Sequence, residues 1–216
     1  MKVFSFPGGG FAENGYLAVC PGTGHAVAVD PGAATPVMLE SLREGGLELG
    51  AILLTHAHLD HVEGVAMLKD ATGAPIHLHP DALAMYRSVA AQAVAFGVRL
   101  TPPPEPDREI RGGDRITFGE CVLEVVDAPG HAPGHVIFHA PAAGLALVGD
   151  VIFAGSIGRT DLPGGDFRTL MESIRTAILT LPDGTRLLPG HGPETTVAHE
   201  RRWNPFLVPQ YGGELA

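Results

Sequence analysis

Short apolar runs separated by Gly and Pro dominate the first fifty positions. KVFSF (2–6), NGYLAV (14–19) and HAVAVD (25–30) each fit a strand closed by a turn, the last at Pro31-Gly32, and together they predict a β-meander. The period then changes. Val37, Leu39 and Leu42 alternate with polar residues as far as Gly45-Gly46, Thr35 offers a cap and Pro36 suits a first turn, so a helix is expected. AILLTH (51–56) follows as a fully buried strand, residues 61–70 have helical spacing, and APIHLH (74–79) is another strand, which gives a βαβ-like middle. Residues 80–96 are Ala-rich and predict one helix, whereas TPPPEPD (101–107), with four prolines in seven residues, predicts a stiff surface loop.

The second half repeats the plan. RITF (115–118), CVLEVVDA (121–128), HVIFHA (135–140) and LALVGD (145–150) are strands, and a Gly-rich loop spans 154–166. Leu170, Ile174, Ala177 and Ile178 mark a helix, RLLPGH (186–191) a last strand, and a final helix should begin near Pro193. Two blocks of strands, each followed by helices, predict an α/β protein of α+β character. It is built as a four-layer αββα sandwich, with residues 1–216 forming a single domain.

Composition narrows the function. A formal charge of −10, with 14 Lys and Arg against 24 Asp and Glu and no basic run, argues against nucleic acid or an anionic membrane surface as partner. No apolar run approaches the ~18–20 residues of a membrane span. MKVFSFPGGGF lacks the charged and apolar regions of a signal peptide, so a soluble cytoplasmic protein with a small-molecule ligand is expected. Cys20 and Cys121 form no CxxC pair and are expected as buried free thiols. The oligomeric state leaves no signal.

LLTHAHLDHVEG (53–64) crowds three histidines and an aspartate into six positions directly after an apolar strand. His56, His58, Asp60 and His61 have distant counterparts at other strand ends: His131 in APGHAPGH, Asp150 in LVGD and His191 in LLPGHG. Imidazoles and carboxylates without thiolate suit zinc, iron or manganese, and seven such groups exceed what one ion uses. Two divalent ions ~3.5–4 Å apart fit better, zinc being the first expectation. His56, His58 and His131 are assigned to one ion and Asp60, His61 and His191 to the other. Asp150 lies between them, and Asp60 and Asp150 are the carboxylates expected at the reacting centre. His135, four residues past His131, is a candidate to orient a ligand by hydrogen bonding. His77 and His79 share one strand face and are explained by exposure at the sheet rim.

HxHxDH at 56–61 followed by His131, Asp150 and His191 resembles the metallo-β-lactamase-fold superfamily. APGHAPGHV, GDVIFAGSIGRTDLPGGD, LLPGHGPETT and ERRWNPF resemble its glyoxalase II-like hydrolases across nearly the whole chain. The resemblance implies the αββα fold and a dinuclear hydrolase of an acyl thioester, S-D-lactoylglutathione or a relative, attacked by a metal-bridging hydroxide. Asp150 stands where zinc β-lactamases proper have a cysteine ligand. In glyoxalase II enzymes a basic residue near Arg159 contacts the glutathione carboxylate, and an Arg159–Asp161 brace explains GRTD equally well. Against that resemblance, residues 1–216 are expected to lack the C-terminal helical extension of the long glyoxalase II enzymes. A related persulfide dioxygenase, with one iron on the residues matching His56, His131 and Asp150, is the alternative enzyme. A non-catalytic metal-binding module is the alternative from another class.

Overall fold

A computed structural model describes residues 1–208. Strands β1 (Lys2–Gly8), β2 (Glu13–Val19) and β3 (His25–Val29) form the expected antiparallel meander. Helix α1 (Thr35–Glu44) then crosses to β4 (Glu48–Leu53), which lies parallel to β3. Helices α2 (Leu59–Val62) and α3 (Val65–Thr72) lead to β5 (Ile76–Leu78), and α4 (Leu83–Arg87) and α5 (Val89–Phe96) lead to the edge strand β6 (Arg108–Glu109). These six strands form one sheet in sequence order.

The second sheet begins with an antiparallel run: β7 (Arg115–Phe118), β8 (Cys121–Asp127), β9 (Val136–Ala140) and β10 (Leu145–Gly149). A small hairpin, β11 (Ile152–Phe153) with β12 (Ser156–Ile157), and α6 (Phe167–Ser173) carry the chain to β13 (Arg186–Pro189), parallel to β10. β14 (Thr195–Thr196) closes the far edge before α7 (Val197–Trp203).

Side-chain alternation explains the layering. Leu17, Ala28, Ile52 and Leu54 face a core shared with Met38, Leu68 and Tyr86 of the helices. Their neighbours Ala18, Val27, Val29 and Leu53 face the opposite way, onto Leu123, Phe138 and Leu147 of the second sheet. Ile137, Ala146 and Val148 then look outward onto Leu170, Ile174 and Val197. Three apolar cores separate four layers in the order αββα, as expected. Strands buried on both faces read as unbroken apolar runs, which is why AILL and LALV lack polar alternation. Each large aliphatic side chain so buried contributes about 1.5–3 kcal/mol.

The helices depart from expectation in detail. Thr35 does not cap α1, because Ala34 occupies that position and the Thr35 hydroxyl donates to Gly32 O at 2.7 Å. The helix expected over 61–70 is two, interrupted at Gly64, where a Cβ would collide with Thr35 Oγ1 and the carbonyls of Pro31 and Gly32. The helix expected over 80–96 is a 3₁₀ turn (Pro80–Ala82) followed by α4 and α5, broken at Ser88, whose Oγ donates to Met85 O. The final helix starts at Val197, not near Pro193, because Thr195 and Thr196 pair with β13 and Thr196 then caps the helix by accepting from His199 N. Cys20 is buried but Cys121 is only partly so, and both are free. His77 and His79 are buried rather than exposed at the rim: His77 points away from the helix-side core that holds Ile76 and Leu78, and His79 lies against Gly134 and Asp127 of the second half. Among the described residues no helix is long and apolar enough to cross a membrane.

Candidate metal centre

Four strand ends supply the seven sequence-selected groups. His56 and His58 leave β4, and Asp60 and His61 lie on the short α2 that follows. His131 comes from the loop after β8, Asp150 from the end of β10 and His191 from the turn after β13. The structure brings them together. His56, His58 and His131 each place one nitrogen so that all three lie within 4.8 Å of one another, as do Asp60, His61 and His191. Asp150 lies between the groups: its Oδ2 is 3.5 Å from His131 Nε2 and 3.5 Å from His191 Nε2, and its Oδ1 is 3.4 Å from His61 Nε2. Asp60 Oδ2 is 3.2 Å from His191 Nε2.

The opposite edges of the rings are held by acceptors, and this fixes which nitrogen is free. His131 Nδ1 donates to Arg159 O at 2.8 Å, His191 Nδ1 to Phe11 O at 3.1 Å and His61 Nδ1 to Asp30 Oδ2 at 3.1 Å. Thr55 Oγ1 gives its proton to Asp30 Oδ2 at 2.6 Å, so the same oxygen accepts from His56 Nδ1 at 3.0 Å. Each of these Nε2 atoms thereby faces the site. Burial works against a charged ring, but Asp150 and Asp60 outweigh it and hold His61 well above its ordinary value and His191 up at about 10, so an ion bound there would displace a proton. His56 Nε2, His61 Nε2 and Asp150 Oδ1 are buried with no hydrogen-bond partner in the protein. Buried polar atoms without partners are costly unless something binds them, and a cation that replaces the His61 proton satisfies all three. The donor set therefore fits divalent metal.

Electrostatics follow from the same crowding. Burial pushes the Asp150 carboxyl up, but His61, His191 and His131 outweigh it and hold the group well below the usual carboxylate range. Burial and the neighbouring His131 lower His58 to about 4. Burial also drives His56 well below its ordinary value, with the other imidazoles adding to the effect, so its ring is neutral and available as a ligand.

Sequence reasoning missed the supporting carboxylates. Asp30 takes a left-handed backbone conformation (φ 49°) and is buried, accepting from Thr55 N at 2.7 Å as well as from Thr55 Oγ1 and His61. An acid closing an apolar strand before Pro-Gly was the available signal. Glu13 is buried with neither carboxylate oxygen hydrogen-bonded, 4.0 Å from His61 Nδ1. Burial lifts it to about 9 against the partial counter-effect of His61. Asn14 and Tyr16, both within the expected strand NGYLAV, brace the turn that carries His191. Asn14 Nδ2 donates to Pro189 O and Gly192 O, and Tyr16 Oη donates to Pro189 O at 2.7 Å.

His135 stacks on His56 with ring centres 4.7 Å apart, and its Nε2 accepts from the backbone N of Asp150 at 3.1 Å. It therefore holds the Asp150 backbone and makes no hydrogen bond to a ligand side chain. Gly149 permits that approach, since a Cβ there would meet His135 at 2.8 Å and Thr55 Oγ1 at 2.5 Å. Arg159 forms the brace, with Nε and Nη2 each 2.7 Å from an Asp161 oxygen, and also lines the cavity over the donors. His77 and His79 lie in neither group.

The groups open onto a cavity of about 770 Å³ bounded by Phe11, Met85, Phe96, Phe153 and Leu162. Residues 8–191 match the family described as the metallo-beta-lactamase superfamily. The chain is 38% identical over 185 residues to hydroxyacylglutathione hydrolase GloC of Haemophilus influenzae, covering 85% of this chain and 87% of that protein. Among solved structures it is similar to TTHA1623 in a di-iron-bound form (43% identity, TM-score 0.87, 94% of this chain and 100% of that one). It is also similar to the BLEG-1 B3 metallo-beta-lactamase (34% identity, TM-score 0.90, 96% and 100%). With two donor groups at the ends of its paired sheets and a family match across most of its length, the chain belongs to the metallo-beta-lactamase superfamily.

Proposed function

We propose that this metallo-hydrolase cleaves acyl thioesters in the manner of glyoxalase II. His56, His58 and His131 would hold one divalent ion and Asp60, His61 and His191 a second, with Asp150 shared between them. The observation that carries the reading is that shared carboxylate, within 3.5 Å of a nitrogen from each group. Bound there, the ions would lower the pKa of water toward neutrality and polarise the carbonyl under attack. The protein's part is orientation. Asp30, Thr55 and the carbonyls of Arg159 and Phe11 lock the imidazoles in the tautomer that presents Nε2, and His135 fixes the backbone of Asp150. Hydrolysis consumes one water, breaks the C–S bond and yields a carboxylate, a thiol and a proton. A thiolate with a pKa of roughly 8–9 leaves without a dedicated acid, and the reading requires none.

Zinc is the first candidate metal, and the di-iron-bound relative makes iron the second. The relative named as a hydroxyacylglutathione hydrolase makes S-D-lactoylglutathione the first substrate to try. Free Cys20 and Cys121 fit a reducing, cytoplasmic setting. The similarity to a B3 metallo-beta-lactamase supports a β-lactam as the second substrate class, since the same attack opens an amide carbonyl.

Elemental analysis with a substrate screen tests the proposal. Two metals per chain with thioester cleavage are expected, and Asp150→Ala should abolish turnover and reduce metal content. One iron with oxygen uptake on a persulfide would replace the hydrolase with a dioxygenase. Retained turnover in Asp150→Ala would remove the shared role of that carboxylate.

A further inference from the structure

The cavity above the donor groups is unusual for a site meant to receive a peptide-like, multiply charged thiol. Two apolar walls flank the donors. Phe11, Met85 and Phe96 stand on the side of α4 and α5, and Phe153, Ile157 and Leu162 stand on the side of the β11–β12 hairpin and the loop after it. Phe11 and Phe96 meet edge to face at 5.5 Å, and both remain open to solvent, at 38% and 56%. Exposed aromatic pairs at a cavity mouth mark a surface awaiting an apolar partner.

Two polar side chains of the α4–α5 wall are already engaged. Gln92 Oε1 accepts from Leu59 N and its Nε2 donates to Met85 O, while Ser88 Oγ also donates to Met85 O. Among the described residues Arg159 is the one Lys or Arg that lines the cavity, and its Nε and Nη2 are paired with Asp161 at the exposed rim. A glutathionyl group carries two carboxylates and an ammonium, and burying these against apolar walls without partners is unfavourable.

We infer that, given the thioesterase reading on which this rests, the preferred substrate is an apolar medium-chain acyl thioester of an uncharged thiol, its acyl chain lying against Phe11, Met85 and Phe96. Phe96 and Met85 are then specificity-determining residues. A chain docked there gains several-fold in affinity for each methylene removed from water.

Two measurements on the metal-loaded protein separate this inference from the reading beneath it. The first is kcat/KM for acetyl, butanoyl and hexanoyl thioesters of N-acetylcysteamine, with S-D-lactoylglutathione alongside. We expect hexanoyl to exceed acetyl by about tenfold or more and to exceed S-D-lactoylglutathione. Phe96→Ala and Met85→Ala should each flatten the rise with chain length. The second is calorimetric binding of the non-hydrolysable thioethers S-hexyl- and S-methyl-N-acetylcysteamine and S-hexylglutathione. The S-hexyl compound of the neutral thiol should bind tightest and weaken several-fold in Phe96→Ala. A flat chain-length series with lactoylglutathione preferred, or thioether binding indifferent to chain length, overturns the apolar assignment. Tight, Phe96-dependent thioether binding with no ester turned over keeps the apolar site and removes the thioesterase reading instead.

Discussion

Thr55 shows how much a site of this kind depends on a single hydroxyl. Its proton goes to Asp30 at 2.6 Å and its oxygen receives His56 Nδ1 at 3.0 Å, so one buried atom sets the orientation of two groups around the donors. Thr55→Val keeps the volume and removes the relay, leaving the His56 Nδ1–H without an acceptor and Asp30 short of a donor. We expect a loss of about 1–3 kcal/mol in denaturant unfolding and a fall of roughly 10–100-fold in metal affinity, with Thr55→Ser restoring both. Full metal affinity in the valine variant would show that His56 is oriented by its packing alone. The seven candidate donors were legible because their residue types are rare at strand ends and recur in one order. Thr55, Glu13 and Asp30 were not, because a threonine or acid beside a strand is ordinary until its partners are known. The stacking of His135 on His56 likewise needs coordinates, since it joins residues from different sheets.

At the scale of elements, the helices were legible as apolar periodicity but not as separate pieces. The breaks come from tertiary contacts: the Gly64 backbone packs under Pro31 and Gly32, and Ser88 turns the chain so that α5 can reach the donor loop. Gln92 makes that reach count. Its amide ties α5 to Leu59 N at 3.0 Å and to Met85 O at 3.2 Å, joining both short helices to the turn between His58 and Asp60. Gln92→Ala should cost about 1 kcal/mol globally while raising hydrogen exchange at the Leu59 amide disproportionately. Unchanged exchange there would mean that the loop stands without α5. The proline loop is pinned differently. Asp107 accepts from Lys69 Nζ and Ile76 N, each at 2.8 Å, and these contacts hold its carboxyl below the usual value. A depressed folded pKa stabilises above the unfolded value of about 3.9, and that contribution is lost as pH falls through the folded one. Asp107→Asn should therefore lower stability by under about 1 kcal/mol near neutrality, and the gap from the unmodified protein should close in acid. A gap independent of pH would assign the loss to geometry and not to charge.

For the whole molecule, the donor groups do not divide between the sheets. His56 and His58 come from the first sheet and join His131 of the second, and Asp60 and His61 of the first join His191 of the second. Any ion held by either group therefore links the two halves, and unfolding must release it. Binding to the native state alone adds RT ln(1 + [L]/Kd), about 2.7 kcal/mol at a free ion concentration one hundred times Kd. For a chain of this length that is roughly 5–10 °C in Tm. Stripping the protein with a chelator should lower Tm by that order, and titrating zinc back should raise it continuously with concentration and without a plateau at stoichiometry. In Asp150→Ala the same titration should give a smaller rise at every concentration, because both groups lose the carboxylate that lies between them. A Tm indifferent to metal in the unmodified protein would mean that the donors stay together through packing alone, and the two-ion reading would lose its link to the fold.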